Sequence, residues 1–141
     1  MTPATTSRPT GRIRSRGGCL ATSLAIIVAG LSLRLVPLGL PTGIVKYGGS
    51  VLWGAMVYGL VAVLLPHRSG RTILLVAGAI ALLVEFSRLI HTPWFDAFRL
   101  TLPGALLLGR IFSPWNLVAY AAGLAASALV DRWAGQRAKG E

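Results

Sequence analysis

Acidic residues are nearly missing from this chain. Asp and Glu total 4 against 14 Lys and Arg, for a formal charge of +10. Charged residues of all kinds reach only 13%, about half the roughly 25% of a soluble domain. That is too little polar surface to cover a soluble domain of this length. Cys19 is the only cysteine, which excludes a disulfide scaffold and leaves no Cys/His cluster for a metal. The chain has no phosphate-binding glycine loop, no dinucleotide fingerprint and no nucleophile elbow. Ser87 lies near His91, but no acidic orienter accompanies them. What the chain does have is 54% hydrophobic residues, which excludes disorder. An integral membrane protein of one domain is the class that remains.

Four apolar segments carry that reading: 17–33, 47–66, 72–90 and 111–130. Each has roughly the 17–25 residues that a helix needs to cross about 30 Å of hydrocarbon. Continuous Ala-, Leu- and Gly-rich runs argue for helices, since barrel strands would alternate in segments of about ten residues. The expected fold is all-α, with four transmembrane helices. The run 100–109 is too short to span, so it is expected as a re-entrant segment, an interfacial helix or a short helix on the bundle. Pro103 suits a first helical turn. The domain plan is a disordered basic tail over 1–18, a transmembrane domain over 19–131 and a polar tail over 132–141. The first helix is expected to stay uncleaved, because Val28-Ala29-Gly30 is a poor cleavage site.

The +10 sorts by position. Nine of the fourteen basic residues fall in the N-terminal tail, the Pro66–Arg71 turn and the C-terminal tail. With four spans these share one side, so both termini are expected in the cytoplasm of an inner or plasma membrane. Trp53, Trp94, Trp115 and Trp133 are expected at the membrane interfaces. Membrane lipids are the expected partners; nucleic acid and bound cofactors are not expected. A homo-oligomer or another membrane partner stays open.

Within the spans, Glu85 stands out, because a carboxylate in a spanning helix costs roughly 2.5–3.5 kcal/mol on insertion scales. Ala77, Ala81 and Glu85 share one face, which small residues suit for close helix approach. Arg88, three residues on, is the nearest charged partner in sequence, and Arg99 or Arg110 are alternatives. Asn116, Ala119, Gly123 and Ser127 share a face of the last segment, beside Tyr120. Ala21, Ala25 and Ala29 form a similar stripe in the first, and Ala55 with Gly59 in the second. The candidate polar cluster is therefore Glu85, Arg88, Arg99, Asn116 and Tyr120, at the non-cytoplasmic end. Its candidate packing residues are Ala77, Ala81, Ala119, Gly123 and Ser127.

The run V-E-F-S-R-L-I-H-T-P-W-F-D-A-F-R, with L-L-L-G-R-I-F-S-P-W-N-L-V-A-Y-A-A-G, resembles a bacterial family of small four-helix membrane proteins. That family is a domain of unknown function, numbered 2809. The matching positions are Glu85, Arg88-Leu89, Pro93-Trp94, Arg99, Leu108-Gly109, Phe112, Asn116-Leu117, Tyr120 and Gly123. Tyr47-Gly48-Gly49 and Leu52-Trp53 fit its earlier stretch. Arg88 replaces a Gln of the family pattern and Asn116 an Asp, so a role needing a second carboxylate is not carried over. A looser similarity runs to the VanZ-like membrane proteins of glycopeptide resistance. The resemblance implies a fold and names no reaction. Three functional classes stay open: a structural or accessory protein of the cell envelope, a binder or modifier of a lipid or envelope headgroup, and a small transporter or channel subunit.

Overall fold

The computed structural model describes residues 14–137, and among these every regular element is helical. Six helices follow in order: α1 (Arg16–Leu35), α2 (Thr42–Leu64), α3 (Gly70–Ser87), α4 (Pro93–Leu100), α5 (Leu102–Leu107) and α6 (Pro114–Arg137). Residues 1–13 and 138–141 of the expected tails lie outside the described residues.

Local chemistry explains the boundaries. The Ser15 hydroxyl accepts from the Gly18 amide at 3.3 Å, satisfying one of the donors left over at a helix start. α1 therefore begins at Arg16, before the tail boundary expected at residue 18. Ser69 caps α3 in the same way, accepting from Thr72 at 3.2 Å. Pro93 and Pro114 open α4 and α6, where a missing N–H costs nothing. Thr101 ends α4 and caps α5, its hydroxyl accepting from Gly104 at 3.2 Å. α6 runs past Val130 to Arg137, so part of the expected polar tail is helical.

α1, α2 and α3 are long and apolar enough to cross a membrane. α6 has 24 residues, but Asn116, Asp131, Arg132 and Arg137 make it less apolar. α4 and α5 have 8 and 6 residues, about 12 and 9 Å of helix, so neither can span. The expectation of one short segment over 100–109 missed α4, whose eight residues Pro93–Leu100 read as a loop because proline, aromatic and charged residues mix in it without a clear period.

α2 is the central helix, packed against α1 on one side and α6 on the other; α3 packs on α6 and α2. The core holds Val57, Tyr58, Val61, Ile73, Ala77, Ala81, Tyr120 and Leu124. Along α3, Ile73, Ala77, Ala81 and Glu85 are buried at four-residue spacing, while Leu75, Leu82, Leu83 and Phe86 face outward. Glycine decides how closely α2 and α6 approach. A Cβ on Gly54 would stand 2.7 Å from the Tyr120 carbonyl oxygen, and one on Gly123 would overlap the Val51 carbonyl. α1 packs differently from expectation: Ala21, Ala25 and Ala29 are exposed, and buried Ser23 sits against Gly59. The alanine stripe carried no information about which face meets α2, because both faces of α1 offer small residues. Trp53 also departs from its expected interfacial place. α2 begins at Thr42, so Trp53 falls in mid-helix, packed on Tyr120 with ring centroids 4.8 Å apart and ring planes tilted by 43°.

The start of α1, the α2–α3 turn and the end of α6 meet at one end of the bundle. Arg14 joins all three. It donates to the Arg68 carbonyl at 2.6 Å and to both carboxylate oxygens of Asp131. Tyr58 adds a hydrogen bond to Asp131 at 3.0 Å.

A candidate functional site of buried charges

The last turn of α3 and the first turn of α6 come together at the opposite end. Glu85 is fully buried there. A carboxylate near the C-terminus of its own helix faces unfavourable carbonyl dipoles. Neighbours offset this from two directions. The Ser113 amide, just ahead of α6, donates to Oε1 at 2.8 Å, and Asn116 Nδ2 to the same oxygen at 3.3 Å. Arg88 Nη1 stands 2.6 Å from Oε2. That contact is close without hydrogen-bond alignment, so Oε2 is balanced by charge and lacks a directed donor.

Arg88 is itself enclosed. Its Nε donates to the Leu108 carbonyl at 2.6 Å, Nη1 to Ile111 at 3.3 Å, and Nη2 to the Tyr120 hydroxyl at 2.7 Å. It therefore ties α3 to the segment after α5 and to α6. Gly109 makes the enclosure possible. Its φ is +69°, a left-handed conformation that favours glycine, and a Cβ would lie 2.6 Å from Arg88 Nη2. Asn116 bridges onward, its Oδ1 3.4 Å from the Ser50 hydroxyl of α2.

Four of the five candidate polar residues thus meet: Glu85, Arg88, Asn116 and Tyr120. Arg99 does not join them. It is buried at the other side of the α3 terminus, donating to the Ile90 carbonyl at 2.8 Å and to the Ser87 carbonyl, with Phe95 4.0 Å below its guanidinium. Arg99 thereby clamps the backbone that follows α3, adding a second donor to the Ser87 carbonyl, which already accepts from the Ile90 amide. It also pairs with Asp96 at 3.1 Å. Among the packing candidates, Ala77 and Ala81 line α3 toward the core, Ala119 and Gly123 are buried on α6, and Ser127 is half-buried.

Sequence reasoning missed the opposite cluster of Arg14, Tyr58 and Asp131. Its hydrogen bonds hold the Arg14 guanidinium above its ordinary pKa, partial burial opposing them. No short-range signal points to this pair, since 117 positions separate the partners. Ser113 was missed because it acts through its backbone amide, and Gly109, named only as a position of the family resemblance, acts through conformation.

Each of the three carboxylates among the described residues holds an arginine: Glu85 with Arg88, Asp96 with Arg99, and Asp131 with Arg14. Such pairing balances charge and positions helix ends. No solved structure matches this chain. Residues 39–124, more than half of the chain and spanning both helices of the Glu85 cluster's α3–α6 contact, match the family described as "Protein of unknown function (DUF2809)", and the chain belongs to that family.

Proposed function

We propose that this chain is a multi-pass protein of the inner or plasma membrane, crossing it four times with both termini in the cytoplasm. We infer a structural or accessory role in the cell envelope, in which the buried charges serve the bundle. The observation that carries this reading is the enclosure of Glu85 by partners from this chain. Its charge faces Arg88, and its other oxygen already accepts from Ser113 and Asn116. A carboxylate inside a span needs a partner, and fully buried Glu85 has Arg88 in that place.

The fourth crossing rests on α6. Trp115 and Trp133 are both exposed on it and lie 18 positions apart, about 27 Å at 1.5 Å per residue. That separation suits two interfacial aromatic anchors. Val118, Leu129 and Val130 face outward between or beside them, while Asn116 and Gly123 are turned inward. The orientation rests on Arg14, Arg68 and Asp131 meeting at one end, with Arg16, Arg71 and Arg132 close by in sequence. At the other end Arg88 and Arg99 are buried and paired, so they weigh little as loop charges.

Reconstitution tests the role. The full chain in proteoliposomes loaded with a pH-sensitive dye is expected to conduct no protons above empty vesicles, and Glu85→Gln to lower thermal stability only. A flux that the wild type supports and Glu85→Gln abolishes would overturn the structural reading in favour of a transporter.

A further inference from the structure

α4 and α5 pack on each other and are tied to the end of α3 by hydrogen bonds from Arg99 to the Ser87 and Ile90 carbonyls and from Arg88 to the Leu108 carbonyl. Their outer surface is apolar. Trp94, Leu100, Leu102 and Leu107, with Ile111 just beyond, are between 49% and 75% exposed. Short helices with such a surface, beside helices whose outer faces are apolar, suit the boundary between acyl chains and headgroups. A cleft of about 250 Å³ opens within this surface, lined by His91, Asp96, Arg99, Leu100 and Arg110.

The charges around the cleft do not cancel. From α4 come Asp96 and Arg99, which pair with each other at 3.1 Å. From the link before α4 comes His91, its Nδ1 3.4 Å from Asp96. Arg99 is further engaged by the carbonyls of Ser87 and Ile90. Arg110, from the link after α5, is exposed and makes no hydrogen bond or ion pair among the described residues. One guanidinium is therefore surplus, with its fork of donors free. That fork matches the paired oxygens of a phosphate, and its weaker hydration suits a partly dry site. The apolar surround favours a phosphate that arrives with acyl chains over one free in solution.

We propose that this cleft holds the phosphate of a phospholipid headgroup, bound by Arg110, with the acyl chains against the apolar rim. This inference goes beyond the structural role of Glu85 and rests on the membrane reading. The two fail separately, because a misplaced α6 shows in topology and an idle cleft shows in lipid binding.

The test uses the purified full chain in neutral detergent. Phosphatidylglycerol, added at about a hundredfold excess over its dissociation constant, is expected to raise the Tm by about 9 °C. Diacylglycerol, which lacks the phosphate, and inorganic phosphate, which lacks the chains, are expected to leave it unchanged. Arg110→Gln, at an exposed and unpaired position, is expected to keep the lipid-free Tm. Its lipid affinity, read by native mass spectrometry, is expected to fall about tenfold or more, as for loss of a charged hydrogen bond. Arg132→Gln, at the other end of α6, is expected to bind as the wild type does. An unchanged lipid shift in Arg110→Gln overturns the proposal. So does an equal loss in Arg132→Gln, which marks non-specific attraction, or an equal shift from inorganic phosphate, which removes the lipid.

Discussion

The Arg14 guanidinium grips the Asp131 carboxylate at 2.5–3.1 Å through Nε and Nη2, joining the start of α1 to the end of α6. The pair is only slightly exposed, and the Tyr58 hydroxyl and Arg68 carbonyl complete it. Fifteen residues separate Asp131 from Asn116 along α6, about 22 Å of helix. The bundle is thus fastened by one charged cluster near each end, with an apolar core between them.

Arg14→Gln is expected to lower stability by about 1–3 kcal/mol, because it leaves a largely buried carboxylate without its charged donors. Thermal unfolding in detergent measures it. The pair raises the Arg14 pKa, so its contribution is fully present below the unfolded pKa and is lost only at extreme alkaline pH. The loss in Arg14→Gln should therefore be the same at pH 7 and pH 9.

Glu85→Gln leaves Arg88 buried without its counter-charge and is expected to cost about 3–5 kcal/mol. The double variant Glu85→Gln with Arg88→Gln is expected to lose less than the sum of the two singles, with a coupling of about 1–3 kcal/mol. Additive losses in a double-mutant cycle would show that the two side chains do not act as a pair.

Gly109→Ala places a Cβ against the Arg88 guanidinium and forces a left-handed backbone on a residue that disfavours it. A loss of about 1–3 kcal/mol is expected. Gly39 shares the positive φ but has open space around it, so Gly39→Ala is expected to cost less. A reversed order in the unfolding midpoints would contradict the enclosure of Arg88.

Gly54→Leu is expected to separate α2 from α6, because the added side chain meets the Tyr120 backbone directly. Gly49 has open space, so Gly49→Leu serves as the control. Proteolysis of the purified variants should show faster cleavage for Gly54→Leu alone.

Topology is checked by labelling single cysteines in a Cys19→Ser background. Cysteines at Arg68 and Gln136 are expected to react only with reagent on the cytoplasmic side, and one at Thr101 only with reagent outside. Labelling of 101 and 136 from the same side would remove the fourth crossing.

The all-helical class and the three strongest apolar helices were legible in the chain itself, because hydrophobic length is a local property and lipid demands internally bonded backbone. The pairing of Glu85 with Arg88 was legible too, since three residues along a helix bring side chains together. The proline and serine boundaries acted where such residues usually do. α4 was not legible: eight residues with a mixed pattern give too weak a period, and helicity there depends on Pro93, Thr101 and docking through Arg99.

Other features depended on contacts distant in sequence. Arg14 with Asp131, Ser113 with Glu85 and Gly54 with Tyr120 meet only once the helices have packed. Likewise, the chain offered two small-residue faces on α1, and packing against Gly59 chose the one with Ser23. Arg99 looked like a partner for Glu85 because both are charged and close in sequence. The folded chain sends it to the carbonyls of Ser87 and Ile90, because the end of α3 and the backbone after it offer acceptors to a buried guanidinium. Composition and period therefore determined which segments are helices and that they are apolar enough for a membrane. Tertiary structure decided the meetings between distant groups, Arg14 with Asp131 and Ser113 with Glu85, because sequence spacing reveals a partner only within a helical turn.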